Sequence, residues 1–134
     1  MDPLDFLKVA CNLHESEYES DRRTSIGRSY FALFNYLRRK VESVKNVPAS
    51  DEAHQAVVHY LAAANDRDLQ SVGQSLRDLR ASRNKADYHL DESVGPDASR
   101  AALTRAKRAV KRFDSLGNRA TSVLQSVPTF PSKR

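Results

Sequence analysis

Hydrophobic residues recur at steps of three and four in five stretches of the chain, and none alternates apolar with polar positions as a half-buried strand would. The clearest stretch is "SDRRTSIGRSYFALFNYLRRKVESV". Its Ile26, Tyr30, Leu33, Phe34, Leu37, Val41 and Val44 form one broad stripe and predict a helix with that face on a core. Upstream, Leu4, Leu7, Ala10, Cys11 and Leu13 predict a helix over residues 3–17 with Pro3 in its first turn. Pro48 in "KNVPAS" breaks the pattern. Ser50 is then the predicted cap of a third helix, with Asp51 and Glu52 in its first turn and Val57, Val58, Leu61 and Ala62 on its buried face.

After "AANDRD" a fourth helix begins near Asp68 and carries Leu69, Val72, Leu76, Leu79, Ala86 and Leu90. Gly95 and Pro96 close that segment, and Asp97 is the predicted cap of a fifth helix lined by Leu103, Ala106, Val110, Phe113 and Leu116. The end, "SVPTFPSKR", holds two prolines and no periodic pattern, which predicts a mobile tail over residues 126–134. The pattern as a whole predicts an all-α fold, an antiparallel bundle of four long helices and one shorter helix in a single domain over residues 1–125.

Composition narrows the function classes. A chain of 134 residues, 40% hydrophobic and 29% charged, suits one domain with one core. No apolar run approaches bilayer length, and "MDPLDFLKVA" carries acids where a secretory leader carries bases, so a cytoplasmic location with no membrane partner is expected. Cys11 is the single cysteine, which excludes an internal disulfide and a multi-thiolate zinc site; within "FLKVACNL" it reads as a small buried hydrophobe. Charge is uneven. Residues 1–96 hold 13 Lys and Arg against 15 Asp and Glu, whereas residues 97–134 hold 9 against 2. The basic run Arg105, Lys107, Arg108, Lys111 and Arg112 serves either solubility or contact with an RNA backbone.

The fourth helix raises the sharpest question. Its apolar positions are spaced 3, 4, 3, 7 and 4, and the residue that fills the gap of seven is Arg83. A buried guanidinium needs a counter-charge. Asp87, at i+4, is an internal candidate; a phosphate held in the bidentate fork of the guanidinium is the other.

The surrounding "LRASRNKADYHLD" resembles the signature of the HEPN family (higher eukaryotes and prokaryotes nucleotide-binding domains), an arginine followed by a polar residue and then, four to six residues on, a histidine. Arg83, Asn84 and His89 occupy those places, and "IGRSYFALFNYLRRKV" is similar to the helix that the family packs beside its signature helix. The resemblance spans roughly residues 3–120. It implies a HEPN-like helical bundle that dimerises and acts as a metal-independent endoribonuclease, often a toxin or defence effector, with an antitoxin or a nucleotidyltransferase as a further partner. The tyrosine that some toxin members carry two residues after the histidine is Asp91 here.

The residue types suit that chemistry. RNA supplies its own nucleophile, so cleavage needs the 2'-hydroxyl proton removed, charge on the phosphorane stabilised and the 5'-oxygen protonated, with no cofactor. His89 is the expected general acid and base, Arg83 the phosphate clamp and Asn84 the orienting residue. Arg80, Lys85, Arg105, Arg108, Lys111 and Arg112 are candidate RNA contacts. On an ideal helix Arg83 and His89 would point about 120° apart and lie about 9 Å apart along the axis. Either a distortion near Ala86 or a homodimer sharing one cleft resolves this, and the dimer supplies two histidines. His14 with Glu17, and His54 with His59, lack further ligands and read as solvated rather than metal-binding; Arg22, Arg23, Arg38, Arg39 and Lys40 read as a solvated face. Two rivals stand beside the nuclease: a groove that binds nucleotide or RNA without cleaving it, and an interaction protein in which Arg83 only pairs with Asp87.

Overall fold

The structure, a computed structural model, describes residues 1–131. It is all-helical among the described residues: α1 (Asp5–Leu13), α2 (Glu19–Glu42), α3 (Ala53–Ala63), α4 (Arg67–Tyr88), α5 (Pro96–Ser115) and α6 (Asn118–Gln125). Three helices are long and three short, where the pattern predicts four long helices and one shorter. The stripe of α2 lies at the centre, against α1, α4 and α5. Ile26, Tyr30, Leu33, Leu37 and Val41 are buried with Val57, Leu61, Leu69, Leu76, Val110 and Phe113.

Contacts fix the helix directions. Arg23 at the start of α2 reaches Ala86 at the end of α4, so these two run antiparallel. Tyr36 late in α2 donates to Asp114 late in α5, and Arg22 early in α2 reaches Val94 just before α5, so α2 and α5 run parallel. The bundle is therefore antiparallel only in part. Arg105 on α5 pairs with Asp78 on α4, and Arg112 on α5 reaches Ser71 on α4.

Several helix ends depart from expectation. α1 stops at Leu13 because residues 14–18 are tied elsewhere: Ser16 Oγ donates to Asp21 Oδ2 at 2.6 Å and Arg22 Nη1 to the Ser16 carbonyl at 2.8 Å. Ser50 accepts from Glu52 N at 3.3 Å in the turn before α3 instead of capping it. Asp66 caps α4, accepting from Asp68 N at 2.9 Å and Leu69 N at 3.1 Å. Gly95, not Asp97, is the N-cap of α5, with Pro96 at its first position. Gly117 at φ +54° turns the chain into α6, which the pattern does not predict, and the segment after it touches the bundle. Val127 is buried and Phe130 N donates to Tyr60 Oη at 2.9 Å. The rest of the expected tail, residues 132–134, lies outside the described residues. Single positions differ too, since Cys11, Ala62 and Leu90 are exposed where burial is expected.

Gly73 lets α4 pack closely on α3. A Cβ there would lie 3.0 Å from Leu61 Cβ, an atom fixed to the α3 backbone, so the two helices would have to separate. At Gly27 an added Cβ meets nothing within 4 Å. Gly73→Ala should lower stability by about 1–2 kcal/mol, whereas Gly27→Ala, which gains helix propensity without a clash, should raise it by up to about 1 kcal/mol. Thermal unfolding of both variants checks this contrast.

Candidate active site

The last turns of α4 carry the residues singled out by the sequence. Arg83 fills its place in the apolar stripe as a half-buried side chain that lies over three rings, with Cζ 5.9 Å from the Tyr30 centroid and 5.6 Å from those of Phe31 and Tyr88. These π-faces replace part of the lost hydration of the cation. Asp87 Oδ2 lies 2.9 Å from Arg83 Nε. The N–H does not point at it, so this buried nitrogen has charge attraction but no hydrogen bond. Arg83 Nη1 donates to Asn84 Oδ1 at 3.4 Å, which holds Arg83 and Asn84 together. The internal acid offered by the sequence is present, but the pair is not sealed: 24% of the Arg83 side chain and 37% of the Asp87 side chain remain exposed.

His89 sits elsewhere. The helix is regular through Ala86 and ends at Tyr88, and His89 is the C-cap with ψ 70°, so the break falls on the histidine itself. Its ring is exposed, with Nδ1 3.9 Å from Glu92 Oε2, a carboxylate that also lies 3.6 Å from Lys85 Nζ. No hydrogen bond or ring contact joins His89 to Arg83 among the described residues. One chain thus brings together Arg83, Asn84 and Asp87 in one group, and Lys85, His89 and Glu92 in another.

What places His89 is Arg23, a residue that the pattern puts on a solvated face of α2. Its side chain is only 12% exposed, and its guanidinium faces the end of α4. Nη1 donates to the carbonyls of Ala86 at 2.8 Å, His89 at 3.4 Å and Lys85 at 3.5 Å; Nη2 donates to Leu90 at 3.5 Å and to Glu92. Arg22 Nε donates to the Val94 carbonyl at 3.0 Å, and Glu19 accepts from Val94 N at 2.6 Å. That backbone hydrogen bond, with the nearby Arg23 and Arg22 charges, holds the Glu19 carboxyl below its usual range. Arg22 and Arg23 are structural, and what they hold at the end of α4 and before α5 lies more than sixty residues away, so the sequence carries no local signal of it.

The other RNA-contact candidates divide. Arg105 and Arg112 are paired with Asp78 and Asp68 on α4, while Arg108 and Lys111 line the same α4–α5 groove without an acidic partner among the described residues. Arg80 lies on another side of α4, lining a groove with His54 and His59. His54, expected to be solvated, is buried, with Nδ1 2.8 Å from Tyr30 Oη. His14 is also held, its Nδ1 2.7 Å from the Cys11 carbonyl. Among the described residues no group of three or more His, Cys, Asp or Glu side chains is placed to hold a metal, and no helix is long and apolar enough to cross a membrane.

Comparison adds relatives without a known activity. The chain is 32% identical over 92 residues to uncharacterized protein MJ0992 of Methanocaldococcus jannaschii, covering 57% of this chain and 52% of the relative. It is 32% identical over 106 residues to uncharacterized protein MJ0628 of the same organism, covering 66% and 64%. It therefore spans between about half and just under two thirds of the length of these curated relatives. No family model matches the sequence. No solved structure matches it either.

Burial pushes the His54 imidazole down to about 4, helped by the Arg80 and Arg77 charges. The unfolded chain takes up this proton near pH 6.5, so between pH 6.5 and 4 the unfolded state binds more protons than the folded one. Stability contributed by neutral His54 is complete above pH 6.5 and should decline by on the order of 3 kcal/mol as pH falls to about 4. Urea unfolding at stepped pH should show this slope in the wild type and its loss in His54→Gln; a resonance assigned to the His54 ring, by its loss in that variant, that titrates near pH 6.5 contradicts the assignment.

Proposed function

We propose that the chain is a HEPN-like helical bundle acting as a homodimeric, metal-independent endoribonuclease in the cytoplasm, in a toxin or defence role restrained by an antitoxin or another partner. The observation that carries this reading is the pairing of Arg83 and Asn84 on a partly open aromatic floor, within two turns of a solvent-facing histidine whose backbone is pinned. A phosphate presented to the exposed part of the guanidinium supplies acceptors for its terminal nitrogens, while Asp87 faces the buried Nε.

Two copies are required because His89 makes no contact with Arg83 in its own chain. Tyr88 and Leu90, 67% and 70% exposed, flank His89 and give a second copy an apolar surface to cover. In the shared cleft one His89 takes the proton of the 2'-hydroxyl as the 2'-oxygen bonds to phosphorus. The phosphorus bond to the 5'-oxygen breaks, and the partner's His89 protonates the leaving oxygen. The products are a 2',3'-cyclic phosphate and a 5'-hydroxyl. Arg83 stabilises charge on the phosphorane and Asn84 orients the phosphate or the imidazole.

Cleavage of RNA in EDTA should be retained by the wild type and reduced about 10²- to 10⁴-fold in Arg83→Ala and His89→Ala. Activity that requires a divalent ion, or that survives His89→Ala, overturns the mechanism.

The 2.9 Å approach of Arg83 to Asp87 favours a second reading, a structural pair in a non-catalytic interaction protein. The exposure of both side chains limits that pair: Asp87→Ala should cost about 1 kcal/mol or less, not the roughly 3–5 kcal/mol of stranding a sealed charge. Chemical denaturation of the variant separates the two magnitudes, and the larger one favours the structural reading.

A further inference from the structure

The side of α4 that faces α3 carries two arginines that the bundle does not use. Arg77 and Arg80 line a groove of about 580 Å³ with His54, Gln55, Val58 and His59, and neither has a carboxylate partner among the described residues. This sets them apart from Arg105, Arg112 and Arg119, each of which is paired with an aspartate of α4 or its cap. No Asp or Glu lines the groove. His54 forms part of the wall, and with Nδ1 directed to Tyr30 Oη its Nε2 makes no hydrogen bond among the described residues. The buried imidazole is held neutral at pH 7, so it adds a donor or acceptor to the wall without adding to the charge.

Helix geometry connects this groove to the residues around Arg83. Arg77, Arg80 and Asn84 stand at i, i+3 and i+7, so they fall on one face of α4 within about 60° and extend about 10 Å along its axis. A chain of anions laid along that face would meet two unpaired guanidiniums and then reach the Arg83–Asn84 pair. Guanidinium forks suit phosphodiester oxygens, and a row of phosphates at successive turns is the chemistry of a nucleic-acid strand.

We propose that the α3–α4 groove is a phosphodiester-binding track in which Arg77 and Arg80 hold phosphates of a single-stranded RNA next to the one held at Arg83. The proposal rests on the reading of that end of α4 as an RNA site, but concerns binding alone. The track takes the backbone and not the base, because its two charged contacts come from side chains that recognise phosphate. It adds Arg77 to the RNA-facing residues and assigns Arg80 to a groove away from α5.

Binding of a fluorescent ten-nucleotide 2'-O-methyl RNA, in which the attacking hydroxyl is blocked, tests this by anisotropy at several salt concentrations. Arg77→Gln/Arg80→Gln should weaken binding at least tenfold and reduce the slope of log affinity against log salt by about 1.4, near 0.7 for each phosphate of a single strand that is no longer neutralised. Lys40→Gln/Lys107→Gln removes equal charge from residues that do not line the groove and should change affinity less than threefold. Equal losses in the two double variants overturn the proposal, as does unchanged binding in the arginine variant while circular dichroism remains that of the wild type. Inorganic phosphate and a mononucleotide form the second arm: either one binding as tightly as the decamer means that the groove holds a free phosphate and not a strand. Arginine-dependent binding with no cleavage of unmodified RNA leaves the track standing and removes the nuclease. Cleavage that is unaffected by Arg77→Gln/Arg80→Gln, with binding also unaffected, does the reverse.

Discussion

The end of α4 is held by one buried cation. A helix leaves its last carbonyls short of intrahelical partners, and here the chain also turns sharply at His89, so acceptors with a lone pair to spare concentrate in a few residues. Of these, the Lys85 carbonyl also accepts from His89 N and the His89 carbonyl from Glu92 N. Arg23 collects them, joining the carbonyls of Lys85, Ala86, His89, Leu90 and Glu92 to the first turns of α2. Its positive charge sits at the negative end of the α4 dipole, which favours the arrangement further. Arg22, beside it, fixes Val94 and the turn after α1. Two consecutive side chains of α2 thus determine where α1 stops, where α4 stops and how α5 begins.

From that anchor the rest of the charge distribution follows a simple division. Cations on α5 and α6 that face α4 are neutralised by Asp66, Asp68 and Asp78, so they fasten helices together. Arg77 and Arg80 face a groove with no such acid, and Arg108 and Lys111 line the α4–α5 groove without an ion pair of their own among the described residues, although Asp68 lines it too. Net positive charge alone therefore overstates the cations available to a partner, and the pairing within the bundle identifies the ones that remain. Arg83 stands between these classes, with an acid close by and a cradle of rings beneath it.

Helical faces are legible in the sequence because burial in a bundle follows the helical period. The stripes of α2, α4 and α5 come through almost residue for residue, and so does the anomaly at Arg83. Helix ends are not: Ser50 and Asp97 meet close neighbours, Glu52 N and Arg100, in place of the caps expected of them, and the turn after Leu13 is tied by Arg22. α6 escapes for a different reason: eight residues give too few periods to distinguish from a loop. At the candidate site, the sequence marks Arg83, Asn84, His89 and the acid at Asp87. It carries no sign of the aromatic floor from Tyr30 and Phe31 or of His54 inside the core, since each depends on residues that meet only after folding.

Tyr60 shows how one buried hydroxyl can make two attachments unequal. It donates its proton to the Asn46 carbonyl in the α2–α3 connection and accepts from Phe130 N in the C-terminal segment. If residues 127–131 lift away, the phenol keeps its donor satisfied and gives up only a lone-pair interaction, while the freed amide turns to water. Peeling this segment leaves no stranded proton inside the bundle, so its hold rests on the apolar contacts of Val127 and Phe130 and on His59, whose Nε2 lies 3.3 Å from the Pro128 carbonyl.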